Sequence, residues 1–267
     1  MIKQAKQANH QEIMEYLNKE PVINTMIIAD IDNNGYDNEN VRTFIQYQED
    51  KIIAIFLKYF KTILIYSQEA FLNLEFINYL KSLDPTLIMG KKSLVDQLLN
   101  EIEHIEARDC YFCEIPLDTK LDNFVAAEPL DPADIKEFLL ASYSVFNENS
   151  GSDQPTFSDK QIQKLKKELL NGKRLTYVIK EDNKIVSSSS SNTITDKSAC
   201  ITGVFTLPQY RNKNYATRAT LTLVQELQKR KVIGNLFYDN PKAGKIYLKM
   251  GFKQSDTYWG MLQVKKI

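Results

Sequence analysis

Arg211, Asn212, Lys213 and Asn214 form a basic turn between a strand-like run, Ile201–Leu207, and a helix-patterned run that reaches Lys231. Pro208 closes the strand, because it has no N–H to donate and disfavours helix at the residue before it. Beyond the turn, Ala219, Leu221, Leu223, Val224 and Leu227 recur at roughly helical spacing. The turn therefore leads into a helix N-terminus, where the first N–H groups have no partner inside the helix. Such a terminus attracts anions, and Arg211, Lys213 and Arg218 add charge of the right sign. On these residues alone two readings stand, a phosphate-binding turn and an ordinary solvated basic loop. Further along, Asn240-Pro241 opens a second helix that carries Tyr247. Asn suits the cap position and Pro the first helical position. With an ordinary pKa of about 10, the Tyr247 phenol keeps its proton at neutral pH and can act as a general acid. The other reading is a half-buried helical tyrosine, one of the fourteen in the chain.

Taken together, the two segments resemble the GNAT superfamily of acyl-CoA-dependent N-acyltransferases. The family signature is Arg or Gln, two residues, Gly, one residue, then Gly or Ala, and Arg211, Asn214 and Ala216 follow that spacing. Asn212 and Asn214 stand where the family usually has Gly; Asn is the non-glycine residue that best tolerates the left-handed backbone region. Asn240, Ala243, Tyr247, Gly251 and Phe252 resemble the family's Asn-x-x-Ala-x-x-x-Tyr-x-x-x-Gly-Phe segment.

The resemblance implies acetyl-CoA, or another acyl-CoA, as the donor and an amine of a small molecule, peptide or protein as the acceptor. It also implies direct attack in a ternary complex. Backbone groups along Val204, Phe205 and Thr206 would pair with the pantetheine arm. The pyrophosphate would rest on amides of Asn212, Lys213, Asn214, Tyr215, Ala216 and Thr217, with Arg211 beside them and Asn240 as a further cofactor contact. Tyr247 would protonate the departing thiolate. No Asp or Glu lies in Ile201–Leu207, so the general base stays open among Glu148, Asp153 and a water chain. A noncatalytic acyl-CoA-binding or regulatory protein is the alternative function.

The elements that must position these residues require two domains in 267 residues. The fold expected is α/β (α+β): two GNAT-like domains, mixed mostly antiparallel sheets flanked by helices, a degenerate acyltransferase-like half at 1–117 and the GNAT half at 118–267. In the first half, His10–Asn18 reads as helix, and Val41–Gln48 and Lys51–Tyr66 as strands with turns at Glu49-Asp50 and Lys61-Thr62. Glu69–Leu83 has helical spacing, Thr86–Met89 is a short strand, Ser93–Ile102 a helix, and a strand reaches Pro116. In the second, a short strand falls near Phe124, helices span Asp134–Phe146 and Ser158–Asn171, and a polar loop, Asn147–Pro155, joins them. Arg174–Glu181, Lys184–Thr193 and Ala199–Leu207 read as antiparallel strands. The serine run Ser187–Ser191 inside them is either a structural feature or a polar lining of a site.

Composition narrows the function. A net charge of zero and a pI near 6.8 argue against a nucleic-acid surface, an aminoacyl-tRNA partner or a polybasic membrane anchor. No apolar run approaches membrane-spanning length and the first residues lack a signal-peptide core, so a cytoplasmic protein is expected. Cys110 and Cys113 have metal-like spacing by count only; they lie in an apolar strand-like run with both histidines distant, so buried thiols and no metal are expected. Gly90-Lys91-Lys92-Ser93 lacks the upstream glycine of a phosphate loop and reads as a capped helix start.

Overall fold

The computed structural model describes residues 1–69, 73–147, 155–255 and 259–264. In chain order the elements are β1 (Ile2–Gln4), α1 (His10–Leu17), α2 (Thr25–Asn34), β2 (Val41–Gln48), β3 (Lys51–Tyr59), β4 (Thr62–Tyr66), α3 (Leu74–Ser82), β5 (Leu87–Lys91), α4 (Lys92–Val95) and β6 (Ile105–Ile115). They continue with β7 (Glu128–Pro129), α5 (Ile135–Phe146), α6 (Asp159–Leu170), β8 (Leu175–Glu181), β9 (Lys184–Ile194) and β10 (Ser198–Thr206). The remainder are α7 (Tyr215–Lys229), β11 (Ile233–Tyr238), α8 (Pro241–Lys249), β12 (Lys253–Gln254) and β13 (Trp259–Val264). Among the described residues, no helix is long and apolar enough to cross a membrane.

Two compact units result: Met1–Cys113 with Phe237–Gly244 and Gln254–Ile267, and Glu114–Leu236 with Lys245–Lys253. In the first, the strand order is β1-β2-β3-β4-β5-β13-β6, antiparallel except for β4 against β5. Strand alternation sends Ile45, Ile55, Leu57 and Leu64 to a core with Ile13, Leu17, Ile27 and Ile31 of α1 and α2. Their neighbours Phe44, Phe56, Ile63 and Ile65 meet Phe76, Ile77 and Leu80 of α3 on the other face. The second unit repeats the plan. Its strands run β11-β10-β9-β8-β7, antiparallel except for β10 against β11, with α5 and α6 on one face and α7 on the other. In both units an antiparallel meander ends in a helix that crosses to a parallel strand, as right-handed β-α-β connections require.

Several expected elements differ. The helix expected at Ser93–Ile102 is only α4 followed by a 3-10 turn, Asp96–Leu98. Leu94, Val95 and Leu98 are buried, and of Asn100–Glu103 only Ile102 packs on the same core, a single apolar contact that supports no further turns. At Gly90-Lys91-Lys92-Ser93 no side chain caps the helix start. Helix α3 begins at Leu74, capped by Asn73 Oδ1, which accepts from the Phe76 amide at 2.9 Å. No strand forms near Phe124. Residues 119–127 instead follow α7 without regular structure: Gln228 Nε2 donates to the Thr119 carbonyl (3.0 Å), Arg218 Nε to the Val125 carbonyl (2.9 Å), and the Ala127 amide to Thr222 Oγ1 (2.9 Å). The polar loop expected at Asn147–Pro155, with Glu148 and Asp153, lies almost wholly outside the described residues.

All three cysteines are free and buried. Burial pushes the Cys200 thiol up to about 12 and the Cys113 thiol up to about 11, and it raises Cys110 as well. Cys110 and Cys113 also sit at odd spacing on one strand, β6, so their side chains leave opposite faces and cannot pair. In the folded protein all three should resist a thiol-titrating disulfide reagent for minutes and react fully once urea unfolds the chain. Fast labelling of any one before unfolding would contradict that burial.

Candidate functional site

Site geometry in the second unit starts from an interrupted ladder. Strand β10 pairs with β11 only from Ser198 to Cys200, against Ile233 to Asn235. Past Cys200 the strand runs on through Ile201–Thr206 with its ladder on the β9 side alone. There the register shifts twice: between Cys200↔Thr193 and Thr202↔Ser190 the extra residue is on β9, and between Thr202↔Ser190 and Phe205↔Ser188 it is on β10. Gly203 sits in this bulge at φ 58°, a conformation that glycine adopts without steric cost.

The serine run fixes the bulge from the neighbouring strand. Ser188 Oγ donates to the Gly203 carbonyl (2.8 Å) and Ser187 Oγ to the Phe205 carbonyl (2.6 Å), and Ser187 also meets Thr206 Oγ1 at 2.9 Å. Ser187–Ser191 are all buried, which is the structural reading of the run. Of the three strand residues in the expected cofactor contact, Val204 and Thr206 are half-buried, while the Phe205 side chain belongs to the core with Phe138. Phe205 can therefore offer only its backbone.

A 3-10 turn, Pro208–Tyr210, leads to the basic turn. Asn212 (φ 66°) and Asn214 (φ 59°) both occupy the left-handed region. Asn is suited to that conformation, where β-branched residues are strained. Arg211 Nε donates back to the Thr206 carbonyl at 3.2 Å, tying the turn to the end of β10. Helix α7 then starts at Tyr215 with no side-chain cap and no acid in its first turn. The amides of Tyr215, Ala216 and Thr217 thus lack partners within the helix. Asn212, Lys213 and Asn214 are exposed around them. Tyr215 itself turns inward, donating its hydroxyl to Glu181; that bond and burial raise its pKa. Its side chain is a structural anchor.

Beside the turn lies a cavity of about 700 Å³ within the second unit, lined by Lys213, Asn214, Thr217 and Arg218 from the turn and α7. Lys120, Phe124 and Lys249 also line it. Sequence reading did not place Lys120, Phe124 or Lys249 here, because 119–127 has no periodicity and nothing local links it to the end of α8. Their one visible signal was basic charge near an anion turn.

Helix α8 carries Tyr247. Asn240 Oδ1 accepts from the Lys242 amide at 2.9 Å, so Asn240 does cap this helix. Tyr247 is half-buried, its ring edge-on to Phe252 with centroids 5.9 Å apart. Gly251 (φ 98°) ends the helix, and a Cβ there would come 2.6 Å from Thr119 Cγ2. Among the described residues no cluster of His, Cys, Asp or Glu could hold a metal ion.

The equivalent turn of the first unit has a different end. Strands β4 and β5 stay paired from Thr62↔Leu87 to Ile65↔Gly90, nearly their whole length. The N-terminus of α3 is capped by Asn73 and carries Glu75, which pairs with the terminal ammonium at 3.0 Å. An anion there would face a carboxylate.

Comparison with known proteins agrees with this arrangement. Residues 171–261 match the GNAT acetyltransferase family. No curated protein matches the chain. A Drosophila protein shares the fold at TM-score 0.70 and 7% identity, covering 99% of this chain and 98% of that one. An acetyltransferase of the GNAT family from Colwellia psychrerythraea does so at TM-score 0.63 and 11% identity, covering 99% and 100%. A tandem GNAT protein from the clavulanic acid biosynthesis pathway follows at TM-score 0.60 and 8% identity, covering 100% and 99%. Residues 171–261 thus match the GNAT acetyltransferase family, and the chain as a whole shares the fold of solved structures that include a tandem GNAT protein.

Proposed function

We propose that the chain transfers an acetyl group from acetyl-CoA to an amine of a small molecule, peptide or protein, in the cytoplasm. At the level of sequence, 1–117 is the degenerate half and 118–267 the catalytic half, with β13 completing the sheet of the first unit. The observation that carries this reading is the open N-terminus of α7. Two left-handed asparagines present its uncapped amides next to a basic cavity. Residues fit the donor on both counts that matter for a phosphate group: free N–H donors and positive charge.

Acetyl-CoA supplies the activated thioester; this chain's residues hold it and handle the protons. Amides from Asn212 to Thr217 bind the pyrophosphate, and Arg211 braces the turn against β10. Backbone groups of Val204 and the Thr206 amide lie where β10 has left β11 and would pair with an extended ligand arm, the Thr206 carbonyl being held by Arg211. Asn240 caps α8, and Tyr247 on that helix holds the proton that the departing sulfur takes.

Calorimetric titration with CoA and acetyl-CoA tests the reading. Binding is expected with one site per chain, because the first unit's equivalent helix is capped and acidic. Arg211→Ala is expected to weaken it roughly tenfold, the scale of losing support for charge-assisted hydrogen bonds. No binding at millimolar CoA would refute the phosphate turn, and two equal sites would refute the assignment to the second unit alone.

A further inference from the structure

The cavity beside α7 carries more positive charge than a pyrophosphate turn requires. Lys120, Lys213, Arg218 and Lys249 line it against one carboxylate, Asp122. Among the described residues, none of these four cations has a carboxylate within ion-pair distance. Like charges around one concave surface repel, so the arrangement favours a multiply charged anion.

The four fall into two pairs by origin. Lys213 and Arg218 belong to the turn and α7, already engaged by the pyrophosphate in the reading above. Lys120 and Lys249 come from the 119–127 segment and the end of α8. Their backbones are brought together by close packing, since Gly251 leaves no room for a Cβ against Thr119. Hydrogen bonds from Gln228 to Thr119 and from Arg218 to Val125 hold the segment on α7. In the same cavity Phe124, Leu221 and Ile246 supply apolar lining of the kind that suits a purine ring.

We propose that Lys120 and Lys249 bind the 3′-phosphate of the CoA adenosine, so that the site selects CoA over dephospho-CoA. This rests on the reading of the α7 turn as the pyrophosphate site. A phosphomonoester carries about −1.5 to −2 charge at neutral pH, enough to neutralise both lysines. Because both side chains are exposed, their removal leaves the core intact.

Calorimetry on the full chain separates the outcomes. The wild type is expected to bind CoA at least tenfold tighter than dephospho-CoA. In the Lys120→Ala/Lys249→Ala double variant, the two ligands are expected to bind equally, with dephospho-CoA affinity close to that of the wild type. Equal wild-type affinities would overturn the proposal while leaving the pyrophosphate site standing, as would a CoA preference that survives in the double variant. If the wild type binds neither ligand, the underlying reading falls first and this one with it. An unchanged thermal midpoint in the double variant shows that it is folded.

Discussion

Replacing Tyr247 by phenylalanine is expected to lower turnover by about 10²–10⁴-fold, the usual contribution of a positioned proton donor, with CoA affinity unchanged. The substitution is selective because the ring keeps its place. Its edge-on packing against Phe252 needs no hydroxyl, and the Phe252 amide reaches the backbone carbonyl of residue 247, not its side chain. What is lost is one O–H. In the proposed transfer, the amine nitrogen bonds to the acyl carbon, the carbon–sulfur bond breaks, and sulfur leaves as a thiolate unless a proton reaches it. The amine's own proton goes elsewhere, since β10 carries no Asp or Glu. Steady-state kinetics with a thiol-release assay, alongside CoA titration, gives the split: kcat falls while the CoA dissociation constant holds. Wild-type turnover in Y247F would remove the phenol from the mechanism, and loss of both binding and turnover would make it a structural residue.

The second large effect concerns stability. Trp259→Ala is expected to cost about 3–5 kcal/mol, the range for truncating a large buried aromatic. Trp259 is 2% exposed and packs at 4.7 Å between centroids against Phe237 within the first unit. Its strand lies between β5 and β6, pairing Lys91 on one side and Cys110 on the other. Trp259→Phe should cost well under half as much, since among the described residues the buried indole N–H has no hydrogen-bond partner to lose. Urea unfolding followed by far-ultraviolet circular dichroism is the suitable measure, because this is the only tryptophan in the chain. A change below about 1 kcal/mol for the alanine variant would mean that β13 contributes little to the first unit.

How much of this was legible in the sequence depends on the range of the forces involved. The meander β8–β10 and helices α5 to α7 were readable because alternation and helical spacing are written locally. The conformation of the basic turn was legible for the same reason, because the left-handed Asn212 and Asn214 follow from residue type. Helix α2 was not foreseen. Thr25, Ile27, Ile28 and Ile31 are β-branched, Asn24 provides no side-chain cap, and burial of that apolar face holds the helix instead of propensity. Lys120 was equally hidden, since its place beside α7 depends on hydrogen bonds between residues far apart in sequence. The return of β13 to the first sheet was hidden as well, because no local pattern announces it.

That return has a bearing on biosynthesis. While the ribosome is still making the second half, β5 and β6 have been completed but the strand that separates them does not yet exist. Each then exposes an edge of unpaired N–H and C=O groups, the kind of surface that recruits wrong partners. At about 5–20 residues per second, the wait for residues 259–264 lasts on the order of ten seconds. The amino-terminal half is thus made first but finished last. A nascent chain released before Trp259 would carry an open slot in its first sheet, however complete its acyltransferase turn.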